Sequence, residues 1–115
     1  MTKSFAWHAQ CLIQWAAAAD GGRRSGPPPG PSFYPTVVFV HGRDSEVDPN
    51  WPASEEHFSV ELALGDPQPN GSVPAQLRFF APELAGAYLH PGSDLLVMEG
   101  PNPVGKAHVL RVEAI

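Results

Sequence analysis

Cysteine is almost absent. Cys11 is the only one, which excludes an internal disulfide and, with it, the stapled folds of small secreted proteins. Positive charge is scarce as well. Seven Lys and Arg stand against 12 Asp and Glu, for a net charge of −5. That balance weighs against a dominant nucleic-acid surface, because displacing counterions from phosphates takes clustered cations. No apolar run approaches the length of a membrane-spanning helix. The start of the chain, from Met1 to His8, lacks the apolar stretch of a secretory signal. The expectation is a cytoplasmic, reducing compartment and no membrane association. Heptads, internal repeats and long helical periodicities are missing too.

What is present is a globular composition, 43% hydrophobic and only 17% charged, enough for a packed core. The 115 residues are read as one domain, 1–115. Eleven glycines and 14 prolines argue against an all-helical fold, since proline removes a backbone donor and glycine weakens helices.

Period-two alternation then supplies the elements. From Phe5 to Trp15, the residues Phe5, Trp7, Ala9, Cys11, Ile13 and Trp15 share a face, which predicts a long half-buried strand with Cys11 as a core thiol. Asp20 to Pro35 is a Gly/Pro/Arg loop that cannot pair regularly. Thr36–His41 is a β-branched second strand. An acidic connection follows: Asp44 to Asp66 holds seven of the 12 acids and no Lys or Arg. Within it, Phe58, Val60, Leu62 and Leu64 alternate as a third strand. Ala75–Phe80 reads as a fourth strand with Leu77 and Phe79 inward. Pro82 to Gly86 suggests a single helical turn. Leu95–Glu99 and Val104–Val112 complete the pattern as a closing hairpin. Six strands between turns predict an all-β fold, a small six-stranded antiparallel barrel or a sandwich.

Three motifs suggest chemistry and are each read down. Gly100 to Lys106 matches the phosphate-loop spacing, but Pro101 and Pro103 remove two donors, and Ala107 replaces the hydroxyl that would hold magnesium. Only eight residues remain for a helix whose N-terminus would face the phosphate. Val37 to Gly42, an apolar strand ending in His-Gly, suggests a hydrolase oxyanion strand. Neither Ser72 nor Ser93 sits in the nucleophile elbow such enzymes need. His8 and Cys11 fall on opposite faces of a strand, and His41, His57, His90 and His108 lack ligand spacing. No catalytic residue, metal site or cofactor is expected. A small hydrolase or nucleotide-binding protein is the most distant alternative. Asn70-Gly71-Ser72, formally a glycosylation sequon, is read as a turn.

Four short pieces in order carry a resemblance. They are Asp20-Gly21-Gly22-Arg23-Arg24-Ser25 after the first strand, Pro35 before Thr36-Val37-Val38-Phe39, Val60-Glu61-Leu62, and Glu99-Gly100 with Val104-Gly105 in the last hairpin. With these the chain resembles the C-terminal (third-domain) β-barrel of elongation factor Tu and related translation GTPases. The resemblance spans most of the chain, with Asp66 to Ser93 matching poorly. It implies a six-stranded barrel with no catalytic residues of its own, here as a stand-alone version without the GTPase domain. In that family the barrel helps hold the aminoacyl-tRNA T-stem and packs on the GTPase domain. By resemblance the binding positions are Arg23, Arg24, Ser25 and Gly100. The family's turn arginine is missing, because Pro101-Asn102-Pro103 follows Gly100. The expected role is therefore a protein-binding module, of which an immunity-type protein that neutralises a toxin is one form. RNA binding inherited from the family is the alternative, disfavoured by the net charge. Trp51, in the acidic connection, is a candidate partner surface: exposed it would be an anchor, otherwise a cover for the barrel end.

Overall fold

The computed structural model describes residues 7–17, 22, 30–42 and 44–113. Seven strands and two single helical turns make up the described elements: β1 (Ala9–Trp15), β2 (Ser32–Phe33), β3 (Thr36–Val40), α1 (Asp44–Val47), β4 (Phe58–Leu64), β5 (Val73–Phe79), α2 (Pro82–Ala85), β6 (Asp94–Glu99) and β7 (Asn102–Val112). All pairings are antiparallel. Six strands close on themselves in the order β1-β5-β4-β3-β6-β7 and back to β1, and β2 adds a short extra strand on β4. The expected six-stranded barrel is there.

Alternation decides which side chains enter it. Ala9, Cys11 and Ile13 of β1 are buried, as are Val60 and Leu62 of β4 and Ala75, Leu77 and Phe79 of β5. Leu77 faces Ala9 on one side and Leu62 on the other, so the barrel closes around it. Two bulges interrupt β7. One lies opposite Val97 and Met98, the other opposite Gln10 and Cys11. At the second, Val109 pairs with Cys11 and Arg111 with Gln10. The extra residue, Leu110, is left outside and half exposed, as an inserted residue must be when two face one.

The two ends are built differently. At the end where β3 finishes, Phe39, Phe58 and Phe79 pack together, with ring centroids 5.6–6.1 Å apart. Tyr88 tilts over them, and Ala85 and Leu89 are buried beneath the segment that begins with α2. At the other end Trp15 meets Phe33 edge-to-face at 5.9 Å, and both pack with Leu64 on the core. There the β6–β7 hairpin turns through Gly100-Pro101, with Gly100 at φ +60. The predicted hairpin is confirmed. β7 continues as a strand through Lys106, so the phosphate-loop spacing carries no helix after it.

Several expectations need correction. Phe5 and Ala6 of the long first strand lie outside the described residues, and Trp7 and His8 precede β1 rather than belonging to it. The loop from Asp20 to Pro35 does contain pairing. β2 forms between two prolines because proline, lacking an N–H, keeps its carbonyl: Leu64 donates to the Pro31 oxygen and Val60 to the Pro35 oxygen. The acidic connection contains one helical turn, α1, where Asp44 accepts the His41 and Gly42 N–H groups at 3.0 Å each.

Candidate functional site

Two aromatic doublets, Phe33-Tyr34 and Phe79-Phe80, run off the ends of β2 and β5, the strands that pair with β4 from its two sides. On extended backbone only one member of a doublet can point inward. Phe79 is buried and Phe33 packs on the core. Their partners are turned outward, each 63% exposed, and they meet there. Tyr34 and Phe80 lie nearly parallel, with centroids 6.5 Å apart.

A shielded ion pair continues this surface. Glu61 of β4 and Arg78 of β5 are directly opposed in the strand register. Arg78 Nε donates to Glu61 Oε1 at 2.7 Å. The other carboxylate oxygen accepts the Tyr34 hydroxyl at 3.3 Å. On the far side the Trp7 indole covers the Arg78 guanidinium, 4.5 Å from the ring centroid, a cation–π arrangement that contributes on the order of 0.5–1 kcal/mol at such sites. Thus Trp7, Arg78, Glu61, Tyr34 and Phe80 form one stripe: aromatic rings at both ends and a pair of mutually neutralised charges between. Four residues past Phe80, Leu84 of α2 is also exposed.

The stripe offers ring faces and a fixed guanidinium, side chains concentrated at the centres of protein interfaces, with the carboxylate beside them balanced by that guanidinium. Next to it, His8 stacks on Phe79 at 6.3 Å, and its Nδ1 accepts the Phe79 N–H at 3.0 Å. Burial first, then the nearby Arg78 charge, hold its pKa below the usual imidazole value. That agrees with a ring that must stay neutral at Nδ1 to accept.

The residues expected from the sequence fall elsewhere. Arg23, Arg24 and Ser25 lie outside the described residues. Gly100 sits in the hairpin turn at the Trp15 end, and Trp51 lies in the connection at the Phe39 end, so the two are not brought together. Trp51 is half-buried, and its indole nitrogen is shut off from solvent without a partner among the described residues. The acids around it serve their own loop: Asp48 accepts from Ser54 Oγ at 2.6 Å and Asn50 N–H at 2.9 Å, and these bonds, the hydroxyl's first, hold its carboxyl below the usual range. Among the described residues no three His, Cys, Asp or Glu side chains gather in a way that could hold a metal ion. Cys11 is a buried core thiol whose pKa burial pushes up to about 12. The missed stripe did have a sequence signal, the doublets themselves.

No protein-family model matches the chain, and no curated protein matches it in sequence.

Proposed function

We propose that this barrel is a non-catalytic protein-binding module and that the Tyr34–Phe80 stripe is where its partner docks. The observation that carries the reading is the exposed, mutually stacked aromatic pair beside a shielded Glu61–Arg78 bridge. Folded monomers leave few large rings exposed side by side without a use. Because the two charges in the stripe neutralise each other, the fitting partner is an apolar protein surface of no marked charge. The resemblance to the translation-factor barrel supports the same reading, since that domain packs against another protein domain. It is the reason to look first among translation proteins, or for a toxin if the role is of the immunity type.

The test is affinity capture from native lysate with three forms of the protein: wild type, Tyr34→Ser/Phe80→Ser, and Asp66→Asn, at an exposed position outside the stripe, as a surface control. A partner held by wild type and the control but lost by the double variant, with thermal stability unchanged, is the expected result. Removing two aromatic hot-spot residues should weaken binding by about 2 kcal/mol or more. Identical partners in all three forms would refute the docking surface. Capture of tRNA instead, with affinity falling steeply as salt rises, would replace it with the inherited RNA role.

A further inference from the structure

Away from the stripe, across the outer face of β1, β6 and β7, lies a groove of about 400 Å³. Its floor is set by register. Leu12, His108 and Asp94 form one row across the three strands, and Gln14 and Lys106 lie side by side in the next. Asn70 and Ser72, from the β4–β5 connection, form its wall.

The groups that line it are mostly donors, and two of them are fixed in orientation. His108 Nδ1 lies 2.8 Å from Asp94 Oδ1. An ionised carboxylate can only accept, so the proton is on Nδ1 and Nε2 is the free edge of the ring. The Asn70 Oδ1 accepts both the Ser72 N–H at 3.0 Å and the Ser72 hydroxyl at 2.7 Å. That assigns the oxygen, so the amide NH2 is the free end. The Lys106 ammonium has no partner among the described residues, although this exposed side chain lines the groove. Asp94 is the one carboxylate in the lining, and it is engaged by His108.

We propose that this groove binds a small oxyanion, the phosphate or carboxylate group of a small molecule. Lys106 supplies the charge, while the His108 Nε2 edge and the Asn70 amide supply directed hydrogen bonds. Asp94 is a positioning residue: it orients the imidazole by accepting the hydrogen bond from Nδ1–H, and Nε2 donates to the anion when the ring carries both protons. Lys106 thus has a use that does not depend on the phosphate-loop spacing around it. The anion would meet it from the side of a strand, not at the start of a helix.

The experiment is a titration of the 15N-labelled protein with three probes, inorganic phosphate, phenyl phosphate and acetate, each at constant ionic strength held with chloride. Saturable shifts at the backbone amides of Leu12, Gln14, Ser72, Lys106 and His108 are expected. Lys106→Gln and His108→Gln should each weaken binding about tenfold, the loss of one charge-assisted hydrogen bond. The phosphate and acetate arms separate the two oxyanion types. Shifts that stay linear, that chloride alone reproduces, or that both substitutions leave unchanged would overturn the proposal.

Discussion

Gly105 has to be glycine because Trp15 lies on it. A Cβ placed there would stand 2.8 Å from Trp15 Cε3, 3.2 Å from Cζ3 and 3.3 Å from the Gln14 carbonyl oxygen. Ordinary carbon contacts are about 3.5–4.0 Å, so the ring would have to retreat by roughly an ångström. It has little room to do so, since its other side meets Phe33 edge-to-face where the pair closes the barrel end. Overpacking of this kind costs about 1–3 kcal/mol. Against it stands the gain from replacing glycine in a strand, about 0.5–1 kcal/mol. Gly105→Ala should therefore destabilise the protein by about 1–2 kcal/mol, lowering Tm by roughly 4–10 °C for a domain of this size. The assay is urea and thermal unfolding followed by far-UV circular dichroism, which does not depend on the tryptophan. The deciding variant is the second one. With Trp15→Leu already in place, adding Gly105→Ala should cost nothing or stabilise slightly, so that the cycle shows a coupling of about 1.5–2 kcal/mol. An equal cost in both backgrounds, or no cost in the wild type, would show that the ring does not rest on Gly105.

Two further outcomes concern titration. Protonating His8 at Nδ1 removes its bond from the Phe79 N–H, and its folded pKa lies below the ordinary 6.5. The unfolded chain therefore takes up the proton first. The contribution of His8 is complete above about pH 6.5 and is lost as pH falls through the folded value. Urea midpoints should fall on acidification through this range, and His8→Gln, whose amide oxygen can accept the same N–H, should flatten that limb. Cys11, raised by burial from its usual 9.0 to about 12, gives the opposite limb: the unfolded thiol ionises first, so stability falls as pH rises past 9. At neutral pH a thiol reagent should label it only as fast as the barrel opens, with the rate climbing in urea. Rapid labelling of the native protein would refute the buried placement.

The barrel was legible because its strands alternate cleanly. Phe58–Leu64 has the boundaries that alternation predicts, and Leu77 and Phe79 point inward as expected. β2 was not legible, because two residues have no period and the flanking prolines argue against pairing; its ladder is completed by the carbonyls of those prolines. The bulge that expels Leu110 also escaped, since an extra residue in one strand shows only against its partner. Of the site, the components were visible and the juxtaposition was not. Tyr34 belongs to a loop by composition, and only the closure of β2 onto β4 brings it over Glu61. The Val104-Gly105 pair, noticed as a motif, acquires its physical reason only from the Trp15 ring.

Closure also restricts how such a protein can recognise anything. A sheet with free edges can accept a partner strand by main-chain hydrogen bonding. Here all six barrel strands are paired on both sides, and the extra strand β2 is two residues long. Among the described residues, that leaves side chains on the outer surface and the connections at the two ends as the places for recognition. At the Phe39 end, the described acids of the connection are occupied in part by their own loop. Among the described residues, two faces of the outer surface differ sharply in chemistry. One, over β4 and β5, is aromatic and neutralised, and it suits a large apolar partner whose binding gains from excluded water. The other, over β1, β6 and β7, is concave and rich in donors, and it suits a small anion that replaces water at directed hydrogen bonds. The two chemistries make opposite demands on salt. Docking at the aromatic stripe should be nearly indifferent to ionic strength, while an oxyanion at Lys106 should be weakened by it. A salt series run on the two ligands separately would therefore tell the faces apart without a single substitution.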